Sequence, residues 1–86
     1  MEDHVPSLRE LVSLEDYQQA NARVFPSIES MRWYVRQHRN GLLACGALLF
    51  IGGRNWVSPM AFDRYAVDVG QRAARLRAAG KEMVVN

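Results

Sequence analysis

Between residues 27 and 39 the chain reads SIESMRWYVRQHR, and the side chains able to do chemistry fall on one side of it. At about 100° per residue, Glu29, Arg32, Trp33, Arg36 and Gln37 share one face of a helix. Two guanidinium groups four residues apart stand one above the other on such a face. A guanidinium fork can pair bidentately with the N7 and O6 acceptors of guanine, and a carboxylate can accept from the amino group of cytosine. Farther on, GGRN at residues 52–55 places Arg54 and Asn55 beside two glycines. A cation carried on so slim a turn can enter the narrow, negative minor groove of duplex DNA. The chemistry on offer is recognition of a polyanion with readable edges, and the expected partner is double-stranded DNA.

The elements that must position these groups follow from local patterns. Ile28, Met31, Tyr34, Val35 and His38 fall in one arc of roughly 120°, the apolar stripe of a helix lying on a core. Ser27 is placed to cap that helix, since its hydroxyl can accept from the amide of Ser30, and Pro26 ends anything helical before it. Glu29 near the start and His38 and Arg39 near the end suit the helix dipole. Asn40-Gly41 reads as the stop. Upstream, Ser13 caps a short helix reaching about Arg23, with Leu14, Tyr17 and Ala20 at helical spacing and Asp16 three residues after the cap. Residues 24–26 are the turn between the two helices, a helix-turn-helix.

Downstream, the β-prone runs 47–51 and 55–57 flank Gly52, Gly53 and Arg54 as a hairpin. Residues 42–46 connect helix to hairpin without a legible conformation. Ser58-Pro59 opens a last helix, with Pro in the first position. Phe62, Tyr65, Ala66, Val69, Ala73 and Leu76 line one side of it, and Gly80 is the expected stop. The opposite side carries Arg64, Arg72 and Arg75. The expected class is α+β, a small winged helix-turn-helix: helix, recognition helix, two-stranded β-hairpin wing and C-terminal helix. Its expected division is a flexible tail at 1–12, the domain at 13–80 and a second tail at 81–86.

Bulk properties narrow the field. Eighty-six residues allow one domain. Nine acids and eleven Lys and Arg give a net charge of +2, unevenly spread. Residues 1–17 hold five acids and one base, whereas 18–54 hold five bases and one acid, Glu29. A basic middle section suits a phosphate-facing surface, although an arginine-rich helix face is also what any solvated helix shows. One cysteine, Cys45, excludes an internal disulfide and a cysteine-rich zinc site, and its small apolar neighbours predict burial. His4 and His38 do not combine into a metal site, and Trp56 is expected to rest on the core. The uncharged run 42–53 is too short to span a bilayer, which takes about 20 residues. No signal-peptide pattern opens the chain, so a cytoplasmic, nucleoid-associated setting in a bacterial host is expected, with no membrane partner. There are no paired carboxylates, no nucleophile beside a base and no phosphate loop, so neither enzyme activity nor a cofactor or metal is expected.

The stretch SLEDYQQANARVFPSIESMRWYVRQHR resembles the N-terminal part of the phage lambda-type excisionases, small winged-helix proteins related in shape to the MerR regulators. Ser27, Ile28, Glu29, Ser30, Arg32, Tyr34, Val35 and Arg36 carry the likeness, which extends over roughly residues 14–69. The chain is also similar to small prophage DNA-binding proteins with an NGL…GA…IGGR…WVSP…F wing. Trp33 stands where the lambda-type proteins have a further arginine, and residues 40–46 form a longer connector lacking their proline-rich character. The resemblance implies no catalysis but binding and bending of attachment-site DNA, so that an integrase (a tyrosine or serine recombinase) excises rather than integrates. It implies that Glu29, Arg32 and Arg36 face the major groove and Arg54 the minor groove; Trp33 and Gln37 are expected beside them in the major groove, Ser30 and Arg39 at the backbone, and Gly53 and Asn55 with Arg54 on the wing. A homo-oligomer on DNA through the C-terminal helix is a further expectation. The other expectations are a prophage transcription regulator on the same fold and a winged helix used to bind protein.

Overall fold

A computed structural model describes residues 7–84, with side chains to residue 80. Within them lie a 3-10 turn at Leu8–Glu10 and four α-helices, α1 (Leu14–Ala20), α2 (Ile28–Gln37), α3 (Arg39–Ala44) and α4 (Pro59–Val84). One antiparallel hairpin, β1 (Leu48–Ile51) and β2 (Arg54–Val57), stands between α3 and α4. The molecule is a small α+β fold of helices gathered against a two-stranded ribbon.

The chain is ordered before the expected boundary at Ser13. Val12 donates to the Val57 carbonyl at 3.0 Å and accepts from the Val57 amide at 2.8 Å, bridging the outer edge of β2. Residues 7–12 are therefore part of the folded body, and the first six residues lie outside the described ones. Ser13 caps α1 by accepting from the Asp16 amide at 3.0 Å. α1 stops at Ala20 rather than near Arg23: Asn21, with φ of −124° and ψ of 40°, is its C-cap, and its side chain donates to the Tyr17 carbonyl at 2.9 Å. Gln18 Nε2 then donates to the Phe25 carbonyl at 2.8 Å and pins the turn into α2. At the start of α2, Ser27 Oγ accepts from the Ser30 amide at 3.1 Å while Ser30 Oγ accepts from the Ser27 amide at 3.2 Å. The two serines satisfy each other's donors as a reciprocal capping box.

Asn40-Gly41 does not stop the helix. The break comes earlier, at His38, whose φ of −117° and ψ of 22° leave helical geometry for one residue before α3 begins. The His38 ring stacks on Tyr34 at 4.2 Å between centroids, and its Nδ1 lies 3.2 Å from Tyr65 Oη, so the break is braced from both sides. α3 ends instead at Ala44, and the chain turns out of it at Gly46, with φ of +80°. The Gly46 amide donates to the Leu43 carbonyl at 3.2 Å, and Ala47 to that of Leu42 at 2.9 Å, which is the Schellman pattern. The connector without a legible conformation is thus mostly helix.

Gly41 has another duty. A Cβ there would stand 2.7 Å from Tyr65 Cε2 and 2.8 Å from Cζ, so the missing side chain is what lets α3 lie against α4. Gly41→Ala is expected to push Tyr65 off His38 and destabilise the fold by about 1–3 kcal/mol, the usual cost of overpacking. A denaturant melt measures this, and an unchanged midpoint would show that Tyr65 gives way freely.

The core is Tyr17, Phe25, Met31, Val35, Leu42, Ala47, Leu48, Val57 and Phe62. Phe62 is fully buried at its centre, with ring centroids of Tyr17, Tyr34 and Phe25 at 4.7, 5.9 and 6.2 Å. Tyr17 also donates from its hydroxyl to Asp63, tying α1 to α4. Only the first part of α4 covers this core. Every residue of 71–80 is exposed, Leu76 at 73 %, so the far end of the expected apolar arc meets nothing. Gly80 does not end the helix, which continues to Val84, into the expected tail. No helix among the described residues is long and apolar enough to cross a membrane.

Candidate nucleic-acid interface

α2 has two faces. Met31 and Val35 are buried and fix one against the core, while Glu29, Arg32, Trp33, Arg36 and Gln37 are all exposed on the other. Burial of the apolar stripe orients the helix, so the row of polar groups faces outward without further machinery. Trp33 keeps 56 % of its surface exposed in the middle of this row. Ser30 and Arg39 sit differently from what the helix wheel implies. Ser30 donates its hydroxyl proton to the Ser27 carbonyl at 2.7 Å, so it is engaged in the cap. Arg39 belongs to α3, beyond the break at His38, and is exposed there.

Arg32 has a neighbour that helical spacing does not reveal. Its Nη2 lies 3.6 Å from Glu15 Oε2 of α1, both side chains more than half exposed. An exposed pair of this kind is worth about 0–1 kcal/mol. The pair is weak, and Glu15 adds a negative charge beside the arginine row. Glu15→Gln is expected to strengthen binding of duplex DNA about two- to fivefold at low salt, with the gain shrinking as salt screens the charge. Fluorescence anisotropy at two salt concentrations measures it, and unchanged affinity at low salt would place Glu15 away from the bound duplex.

The hairpin turns through Gly52 and Gly53 alone. Their φ values of +63° and +79° give the two left-handed positions of a type I′ turn, which side chains with a Cβ adopt only under strain. Arg54 is therefore not in the turn but opens β2, paired with Ile51. Its guanidinium carbon lies 5.8 Å from the centre of the Trp56 ring. Trp56 is half-buried rather than a core residue, and its Nε1 donates to the Ile51 carbonyl at 3.0 Å across the ribbon. Asn55 is half-buried opposite Phe50. Phe50 itself is 70 % exposed, which the sequence pattern does not mark. Strand alternation places it on the same side as Leu48, but cannot say that the body ends before reaching it.

Burial, and then the hydrogen bond to Asp63, push the Tyr17 phenol far above its ordinary range, and burial also raises Tyr34. Both stay neutral as packing groups. Cys45 is exposed, not buried as its neighbours imply, since it caps α3 at the surface with Sγ 3.6 Å from the Leu42 carbonyl. Among the described residues no group of three or more His, Cys, Asp or Glu side chains could hold a metal ion.

No protein-family model, no curated protein and no solved structure matches this chain.

Proposed function

We propose that this chain is a sequence-specific DNA-binding protein of the winged helix-turn-helix kind, with α1 and α2 as the helical pair, α2 in the major groove and the β1–β2 hairpin as the wing. The observation that carries the reading is the outward row of α2, Glu29, Arg32, Trp33, Arg36 and Gln37, exposed on a helix whose other face is locked by Met31 and Val35. A major groove about 12 Å wide admits such a helix. Support comes from the hairpin, which carries Arg54 and no carboxylate, and from the basic section of residues 18–54. Within that class we favour an excisionase, which binds attachment-site DNA, bends it and directs an integrase. A prophage transcription regulator would use the same surface. In this reading the protein is not an enzyme and works in a bacterial cytoplasm, and the exposed far half of α4 is available to a second copy on neighbouring DNA or to the integrase.

The test is a gel-shift titration at two salt concentrations with a phage attachment region and a scrambled duplex of equal length. Tight, laddered binding to the attachment region that weakens steeply with salt is expected. Equal binding of both duplexes would reduce the function to general DNA association, and no binding at either salt would overturn the reading in favour of a protein-interaction module.

A further inference from the structure

The hairpin combines three chemistries within two residue pairs of its turn. Phe50 faces Asn55, and Ile51 faces Arg54. Phe50 and Ile51 are exposed, the former at 70 %, although neither side chain has any reason to seek water. Asn55 is too small and polar to cover the ring opposite it. From residue 40 to residue 62 the only ionisable acid or base apart from the Cys45 thiol is Arg54. The ribbon thus offers an apolar projection, an amide and a cation, and carries no carboxylate of its own.

The ribbon is also stiffened behind the projection. Trp56 Nε1 holds the Ile51 carbonyl at 3.0 Å, and the Arg54 guanidinium lies over the Trp56 ring, on the side opposite Phe50 and Asn55. A two-residue turn leaves no slack at the end. A projection that must separate stacked groups needs such backing, or the ribbon would bend instead of its target.

We propose that the hairpin is a wedge for duplex DNA: Phe50 enters from the minor groove between adjacent base pairs, while Asn55 and Arg54 hold the groove on either side. The occupant follows from charge and shape together. A ribbon whose single charge is the Arg54 cation suits a polyanion, and an exposed aromatic ring finds an apolar stack to enter where that polyanion is a nucleic acid. Pyrimidine–purine steps, the easiest to unstack, are the expected points of entry. This proposal rests on the DNA-binding reading above and adds to it a point of distortion, supplied by Phe50 rather than by the arginine row of α2.

The experiment uses the full chain and a duplex recovered by selection from a random 20-base-pair pool, with 2-aminopurine substituted in turn at each adenine. The wild-type chain is expected to raise 2-aminopurine fluorescence severalfold at one step, the mark of an unstacked base. Phe50→Ala is expected to abolish that rise and weaken binding about five- to thirtyfold, while Phe50→Leu keeps part of both. Because Phe50 is exposed, both variants should match the wild type in thermal melting, which is checked alongside. If the wild type binds with no rise at any position, or Phe50→Ala produces the same rise, the wedge is overturned and DNA binding stands. If sedimentation shows a wild-type dimer that Phe50→Ala dissolves, the patch is a contact between copies and the wedge is likewise overturned. Recovery of no duplex at all overturns the underlying reading, and the wedge with it.

Discussion

A chain carrying Arg32→Ala and Arg36→Ala together is expected to lose at least about thirtyfold in affinity for its DNA site while keeping its melting temperature within a few degrees. Each bidentate arginine–guanine contact is worth about 1–3 kcal/mol of discrimination, and the factor of thirty corresponds to the lower end for two of them. The fold should not notice, because both side chains are exposed and Arg32 gives up only its pairing with Glu15. Arg36→Lys separates two versions of the same result. Lysine keeps the charge but not the planar fork, so a base contact is lost and a phosphate contact is largely retained. Binding of the selected site and of a mismatched site, measured by anisotropy across salt, reads both variants. A double variant that binds both duplexes as the wild type does would remove α2 from the groove.

Phe62→Asp is expected to leave no folded protein. A domain of this length has about 4–13 kcal/mol of stability in total. Truncating a buried phenylalanine alone costs about 3–5 kcal/mol, and Phe62 is where the rings of Tyr17, Phe25 and Tyr34 meet. Putting an unpaired carboxylate in the same place adds a desolvation cost of several kcal/mol, and the Tyr17 hydroxyl beside it is already donated to Asp63. Asp63, next in the chain and bonded to Tyr17, would add repulsion. Far-UV circular dichroism should show loss of helix at room temperature, with Phe62→Leu as a control that stays folded at reduced stability. A cooperative thermal transition in Phe62→Asp would mean that the carboxylate reaches water and that the core is looser than its packing implies.

What could be read in advance was local. Ser27 with Ser30, Ser13 with Asp16, Gly52-Gly53 and Pro59 each act within a few residues of where they stand, and each produces the turn or helix start its chemistry predicts. The two faces of α2 follow from spacing alone. The features that escaped depend on residues far apart in the chain. The break at His38 is braced by Tyr65, 27 residues later, and Gly41 leaves room for the same tyrosine rather than making a stop. Val12 finds its partner in Val57. At the candidate interface, the sequence marks the arginines and Trp33 as one row but not the carboxylate of Glu15 beside them. Whether Phe50 is covered depends on where the body stops, which no strand pattern records.

α4 spans 26 residues, about 39 Å at the usual rise, yet its tertiary support ends near Gly70. A glycine there has nothing around it and weakens the helix by about 1 kcal/mol relative to alanine. Free helices shorter than about 12–15 residues are marginal in water, so the turns beyond this glycine persist largely by continuity with the anchored half. Their amides should therefore exchange with solvent through fraying, whereas those near Phe62 exchange only when the whole domain opens. One unbroken helix thus contains two regimes of hydrogen exchange, and a molecule that grips its distal turns would announce itself by slowing the fast regime alone.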